Sequence, residues 1–293
     1  MKREVSLLVT DLDNTLYDWV GMWYQAFEAM LKEIERISGI SREELEPEIQ
    51  KVFQRYGTTE YAFVIQEIPS LSKKHPGEDL TAVYDEAIRA YRFARIEALR
   101  LYPDVLNVLG EIKKCGSMIV VFTESMGFYT MRRLKILGLD GLLDFVYSPP
   151  DHRTPEDLKR FYDESAYTLE KTVHRHIPEG EYKPNPQILK EIINADDIKA
   201  KPEKTIYMGD SLMKDIKMAQ DAGIVDIHAK YGVAMNSEAY EVLKRVTHWT
   251  KEDVEREKKI LAGGAVYPTY TLENSISELF DHFEFIPHEI EKT

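Results

Sequence analysis

Cysteine is almost absent from this sequence: Cys115 is the single one in 293 residues. One thiol cannot close an internal disulfide, so the chain is expected to rely on its core and to suit a reducing cytoplasm. Long apolar runs are missing too. No stretch of about 18 apolar residues offers a membrane span, and residues 1–10 lack the basic start and apolar core of a signal peptide. Both absences point to cytoplasmic localisation. There is no basic excess: 38 Lys and Arg against 51 Asp and Glu leave a net charge of -13. That balance argues against nucleic-acid and anionic-membrane partners, which favour basic patches. It does not exclude a small anionic substrate, because one metal ion and one lysine reverse a local field. Internal repeats and low-complexity tracts are lacking as well. What remains, 43% hydrophobic and 30% charged, is the composition of a soluble globular protein large enough for one big domain or two modest ones. Nothing in it sets an oligomeric state.

The apolar run Val5–Thr10 reads as a short strand buried on both faces, and Asp11-Leu12-Asp13-Asn14-Thr15 follows it. From Tyr17 to Pro103 no strand is evident. Trp19, Met22, Trp23, Ala26, Phe27, Met30, Leu31 and Ile34 recur at helical spacing, Ser41 with Glu44 resembles a capping box, and a long helix is expected from about Leu80 to Leu99. The aromatics Trp19, Trp23 and Tyr24 read as core rather than as a base- or sugar-stacking platform.

After Pro103 helices alternate with short apolar strands at Met118–Thr123, Phe145–Tyr147, Thr205–Met208, Val225–His228 and Tyr270–Leu272. A helix from Ser275 to Phe283 closes the series, and the last eight polar residues read as frayed. This alternation implies an α/β fold with a doubly wound parallel sheet. Two stretches interrupt it. Residues 149–181 are polar, with a helix predicted at Thr154-Pro155; residues 233–265 carry two further predicted helices.

Four clusters follow predicted strands, at the sheet end where open α/β folds place ligands. Asp11 and Asp13 lie two apart and share a face, so one can attack phosphorus while the other moves a proton. Thr123-Glu124-Ser125 ends the most apolar strand and offers a hydroxyl and main-chain N–H groups to a phosphoryl group. Lys183-Pro184-Asn185-Pro186 rigidly places an ammonium just before a helix start. Gly209-Asp210-Ser211-Leu212-Met213-Lys214-Asp215 sets Asp210 beside Asp11, and two carboxylates with one main-chain carbonyl suffice for magnesium. Asp215, a helical turn on, can orient Lys183 or a metal-bound water.

Together these motifs resemble the haloacid dehalogenase (HAD) superfamily: DLDNT at 11–15, Thr123, Lys183 and GDSLMKD at 209–215 match its four motifs in order. The resemblance covers about 5–17, 103–148, 182–232 and 268–283. It implies a Rossmann-like core formed by 1–16 and 102–293, with insertions at about 149–181 and 233–265, and a helical cap domain at 17–101. It also implies Mg2+ as cofactor, Asp11 as nucleophile, Asp13 as general acid and base, and Asp11, the Asp13 carbonyl and Asp210 as metal ligands. Thr123, Glu124 and Lys183 would contact the phosphate, with Thr15, Gly209 and Asp215 in support. The expected activity is phosphomonoester hydrolysis of a small phosphorylated metabolite, of the phosphoglycolate phosphatase kind. A 5′-nucleotidase or a sugar phosphomutase is the alternative, and a non-catalytic binding protein the distant one. Haloacid dehalogenases and phosphonatases lack a carboxylate at the position of Asp13, so the resemblance counts sharply against both of those branches.

Two features depart from the pattern. Glu124 adds negative charge beside a phosphate site unless it pairs with a base. The long 149–181 insertion holds His152, Arg153, Lys171, His174, Arg175 and His176; a solvated surface helix is the favoured reading, and a border to the substrate entrance the sharper one.

Overall fold

The structure is a computed structural model and describes residues 2–151, 159, 162–178, 180–233, 238–250, 255 and 266–290. The chain divides into two compact units, one of Met1–Asp18, Arg100–Val233 and Gly264–Thr293, the other of Trp19–Leu99 and Ala234–Gly263.

The first unit is built on a seven-stranded sheet. Its strands are β2 (Leu7–Thr10), β3 (Met118–Phe122), β4 (Phe145–Ser148), β5 (Val173–His176), β6 (Thr205–Gly209), β7 (Val225–Ala229) and β8 (Tyr270–Leu272), with β1 (Arg3–Val5) and β9 (Phe283–Phe285) apart from it. The order is β5-β4-β3-β2-β6-β7-β8, and every neighbouring pair is parallel. Parallel strands need crossover connections, and the helices that supply them cover both faces. Hence all four residues of β2 are buried, and Leu7 and Val9 enter one core cluster with Val120, Phe122, Tyr207 and Leu189. The chain builds outward from β2 to β5 on one side, then returns beside β2 with β6 and continues to β8. The strand order therefore reverses at β2, and the residues just after it sit at the topological switch point, where such sheets bind ligands.

Four local expectations change. The strand expected at 5–10 is two strands that part at Ser6, because β1 pairs with β9 in a separate two-stranded sheet. The closing helix is only Leu279–His282, preceded by a tight turn at Ile276–Glu278, and Phe283 already belongs to β9. The C-terminal segment is tied down through His288 rather than frayed: Ile286 N–H donates to the Val5 carbonyl and His288 N–H to the Gly116 carbonyl, both at 2.9 Å. The 149–181 stretch contributes the edge strand β5, so Val173–His176 is no surface helix; the helix expected at Thr154 lies outside the described residues, as do His152 and Arg153.

The second unit is helical: α1 (Trp19–Ser38), α2 (Arg42–Tyr56), α3 (Val64–Glu67), α4 (Pro69–Lys74), α5 (Leu80–Val83) and α6 (Asp85–Ala98). α1 buries Met22, Trp23, Ala26, Phe27, Met30, Leu31 and Ile34 along one stripe and packs on α6. The aromatics are core: Trp23 stacks on Phe27 with ring centroids 4.9 Å apart, a geometry worth about 1 kcal/mol beyond the buried area. The helix Glu238–Val246 packs on α1 and α2, and Arg245 grips Glu46 through two N–H donors at 2.8 and 3.1 Å. The 233–265 stretch, assigned from sequence to the α/β domain, thus contributes this helix to the helical unit. The remainder of that predicted insertion is outside the described residues, save for 233, 247–250 and 255. Among the described residues no helix is long and apolar enough to cross a membrane.

Candidate active site

The loop after β2 is shaped by its own backbone. Asp11 N–H donates to the Met208 carbonyl of β6 at 2.8 Å, which ties the loop to the neighbouring strand end. Asn14 then takes the left-handed conformation at φ 57°, one that Asn tolerates better than most residues. Its carbonyl backs so closely onto Gly232 that a Cβ there would stand 1.6 Å from the oxygen, so position 232 admits only glycine. Where the loop leaves, Tyr17 bridges to Leu101, and Tyr231 donates its hydroxyl proton to the Thr15 carbonyl at 2.8 Å.

Asp11 is 7% exposed. Its Oδ1 accepts from Lys183 Nζ at 2.5 Å and its Oδ2 from Thr15 Oγ1 at 3.0 Å. The same ammonium donates to Asp215 Oδ1 at 2.9 Å, and it lies 5.1 Å from the Phe122 ring centroid. Asp215 also accepts from Tyr207 OH at 2.8 Å and from Ser211 N–H at 3.0 Å. This tuck needs Gly209, since a Cβ there would meet Asp215 Cγ at 2.3 Å. The turn carrying Asp215, Leu212–Ile216, is π-helical, a local widening that recurs at functional sites. One carboxylate oxygen each of Asp11, Asp210 and Asp215 lies within 4.8 Å of the others.

Burial acts first on these charges. It pushes Asp11 up to about 7, against the pull of Lys183 and with the push of Asp215 and Asp13. Burial, then the charges of Asp11 and Asp215, drive Asp210 well above the usual carboxylate range. On Lys183 burial acts downward, but the two aspartates more than offset it and hold the ammonium protonated. A cluster with three acids and one lysine carries excess negative charge in a low-dielectric setting. Its donors are hard oxygens, the set a divalent cation of the magnesium type takes, so these residues fit the expected metal.

Asp13 has different company. Its Oδ1 accepts from Tyr17 OH and its Oδ2 from Ser125 Oγ at 2.5 Å; Arg133 Nη1 stands 3.8 Å from Oδ1. The carboxyl group of Asp13 is thus not part of the three-carboxylate cluster. Thr123, at the end of β3, shapes the turn: its N–H donates to the Tyr147 carbonyl and its Oγ1 accepts from Ser125 N–H, both at 3.0 Å.

Glu124, expected to contact the phosphate, is engaged by protein groups. Its Oε1 accepts from Lys183 N–H at 3.1 Å and its Oε2 pairs with Lys214 Nζ at 2.5 Å. Lys214 supplies the base that the sequence reading required of this position, and Glu124 links the second, third and fourth motif segments. In the 149–181 stretch, Arg175 pairs with Asp197 and with Tyr147 OH, and His174 Nε2 meets Ser148 Oγ at 2.7 Å. Their contacts are to sheet and loop neighbours. Sequence reasoning did not single out Tyr17, Arg133 or Tyr207 as site residues. Tyr17 lies two residues past the DLDNT run at 11–15; nothing in the pattern marks the other two.

Comparison with known proteins identifies the family. The profile of the haloacid dehalogenase-like hydrolases matches residues 5–223. A protein of Methanopyrus kandleri named glyceraldehyde 3-phosphate phosphatase is 26% identical over 235 residues, covering 78% of this chain and 85% of the relative. One of the same name from Methanocaldococcus jannaschii is 24% identical over 228 residues, covering 77% and 85%. Among solved structures, that of the HAD-hydrolase YfnB from Bacillus subtilis, bound to magnesium, aligns with a TM-score of 0.54 at 16% identity. It covers 95% of this chain and 98% of that one, a likeness of fold. On the profile match, which spans all four motif segments, the chain belongs to the haloacid dehalogenase-like hydrolases and is an enzyme of that family.

Proposed function

We propose that this enzyme is a Mg2+-dependent phosphatase that hydrolyses a small phosphomonoester through an aspartyl-phosphate on Asp11. The observation that carries the reading is the ammonium of Lys183 fixed between Asp11 and Asp215, beside a third carboxylate. Asp11 attacks phosphorus, the ester P–O bond breaks, and the departing alkoxide takes a proton from Asp13. Asp13 then accepts a proton from the water that attacks the aspartyl-phosphate, which releases inorganic phosphate and regenerates Asp11. Lys183 offsets charge on the nucleophile and the transferring group, and Thr123 holds the turn that presents main-chain N–H groups.

Asp11 and Asp210 would hold Mg2+ with the Asp13 main-chain carbonyl. Asp215 stands behind them as the acceptor for Lys183, Tyr207 and Ser211. When bound, the cation supplies charge neutralisation for the nucleophile and the phosphoryl oxygens. Glu124 serves in this reading as a positioning group for Lys183 rather than as a phosphate contact.

A three-carbon sugar phosphate is the substrate class put first, ahead of phosphoglycolate, because both curated relatives are named for glyceraldehyde 3-phosphate. The test is kcat/KM across D-glyceraldehyde 3-phosphate, glycerol 3-phosphate, phosphoglycolate, sugar phosphates and nucleoside monophosphates, with and without EDTA. Turnover of the three-carbon aldehyde phosphate and its loss in EDTA are expected. Turnover unaffected by EDTA would overturn the metal assignment; preference for a nucleoside monophosphate would overturn the substrate class.

A further inference from the structure

Arg133 lies on α7 (Gly127–Ile136), the helix that follows the Thr123 turn. It is 3% exposed. A buried guanidinium carries a desolvation cost, and a methionine would fill the same space. What the guanidinium adds is polar. Arg133 Nη1 donates to Ser125 Oγ at 3.1 Å, and that hydroxyl donates to Asp13 Oδ2 at 2.5 Å.

A serine hydroxyl has one proton and can donate or accept in either direction. Arginine has no acceptor, so once Ser125 accepts from Arg133 its proton is left for Asp13. Thr130 Oγ1 fixes Ser125 from the other side by donating to its carbonyl at 2.9 Å. The Tyr17 and Tyr129 rings flank the guanidinium, with their centroids 5.9 and 5.5 Å from its carbon. Tyr17 also donates to the other oxygen of Asp13. Both carboxylate oxygens are thereby gripped, and one grip is directed from Arg133.

We propose that Arg133 is a positioning residue of the reaction: acting through Ser125, it fixes the rotamer in which the Asp13 carboxyl group meets the leaving oxygen. This rests on the reading of Asp13 as the group that protonates that oxygen. An aryl leaving group departs as a stable anion and draws little on the acid, whereas an alkoxide needs the proton. Loss of Arg133 therefore separates the two substrate types. A loss of packing or of phosphate contacts slows both alike.

The test is kcat/KM, which reports the steps through formation of the aspartyl-phosphate and is untouched by its later hydrolysis. Two substrates are compared: p-nitrophenyl phosphate, and D-glyceraldehyde 3-phosphate or, if that is not turned over, glycerol 3-phosphate. In Arg133→Met the alkyl substrate should lose about 10²-fold, the lower end of what a positioned acid contributes, while the aryl substrate changes less than about 3-fold. Arg133→Lys keeps a donor for Ser125 and should recover most of the alkyl rate. Ser125→Ala removes the same contact, should show the same split, and replaces Arg133→Met if that variant does not fold. Asp13→Asn is the reference. If it shows the split and the Arg133 and Ser125 variants do not, the positioning role is overturned and the acid assignment stands. If Asp13→Asn itself shows no split, the acid assignment falls and the positioning role with it. Equal losses on both substrates in the Arg133 variants would likewise overturn it.

Discussion

Asp11 and Asp13 leave the same strand two residues apart, yet the fold gives them opposite surroundings. Asp11 is 7% exposed and lies among charges: the Lys183 ammonium, which it shares with Asp215, and the carboxylates of Asp210 and Asp215. The Asp13 side chain is 23% exposed and takes its hydrogen bonds from two hydroxyls, with an arginine behind one of them. One carboxylate is desolvated and crowded by like charge, so it ionises readily only with help from cations. The other accepts from two hydroxyls and has the Arg133 guanidinium 3.8 Å from Oδ1. Two groups of one chemical type can carry different roles when their environments separate them; here the Lys183 ammonium offsets the crowding around the attacking group, and directional hydroxyl contacts orient the proton carrier.

Replacing each in turn probes the contrast at its largest. Asp11→Asn removes the nucleophile and should lower kcat on any phosphate ester by about 10⁵-fold or more, the scale seen when a covalent nucleophile is deleted. Asp13→Asn should cost about 10²–10⁴-fold on alkyl phosphates, the range of general acid–base catalysis, and much less on p-nitrophenyl phosphate. Steady-state kinetics on both substrates, with melting curves to verify folding, gives the measurement. Equal losses in the two variants, on both substrates, would erase the division of labour.

The crowding around Asp11 predicts a pH effect on stability with a definite sign. The ordinary carboxylate value is 3.8 and the folded value about 7, so protonation favours the folded state. That stabilisation is fully present below 3.8 and is lost as pH rises through 7. In EDTA the melting temperature should therefore fall between pH 5 and pH 8, and fall less in Asp11→Asn. Mg2+ at about 100 times its Kd should add about 2.7 kcal/mol at pH 8, or roughly 5–10 °C at 2–4 °C per kcal/mol. Differential scanning fluorimetry reads both. A wild-type drop no larger than that of Asp11→Asn would remove the crowding from the account.

What sequence could convey of this site follows from physics. Asp11 and Asp210 stand at predicted strand ends, Lys183 before a predicted helix start and Asp215 a helical turn past Asp210, all with motif spacing, and the structure brings those four together. β2 was legible because an all-apolar run suits a strand buried on both faces. β5 was not: Val173-His174-Arg175-His176 has one apolar residue, and an edge strand supported by the Arg175–Asp197 pair needs no hydrophobic pattern. β9 escaped for its shortness, three residues directly after a helix. The helix Glu238–Val246 showed its helical character in sequence but not its packing partner, since an amphipathic stripe does not say which face it meets. Arg133 was invisible for a related reason. In Met131-Arg132-Arg133-Leu134-Lys135 it reads as one of several solvated cations near a helix C-terminus, and only the packing shows that it points inward.

The smallest effect probes the Asp13 side alone. Tyr17 is fully buried, and its hydroxyl donates to Asp13 Oδ1, while Ser125 and Arg133 secure Oδ2. Tyr17→Phe keeps the ring that flanks Arg133 and deletes one donor. A hydrogen bond to a charged acceptor is worth about 1.5–3 kcal/mol, but Asp13 is partly exposed, so water can replace the lost donor and the net cost should be nearer 1 kcal/mol. That corresponds to about 5-fold in kcat/KM for an alkyl phosphate, with p-nitrophenyl phosphate nearly unchanged. If the variant instead loses as much as Asp13→Asn, one donor holds the carboxylate and the Ser125 contact is redundant. If alkyl and aryl substrates slow equally, Tyr17 acts through packing of the loop and has no share in aiming the proton.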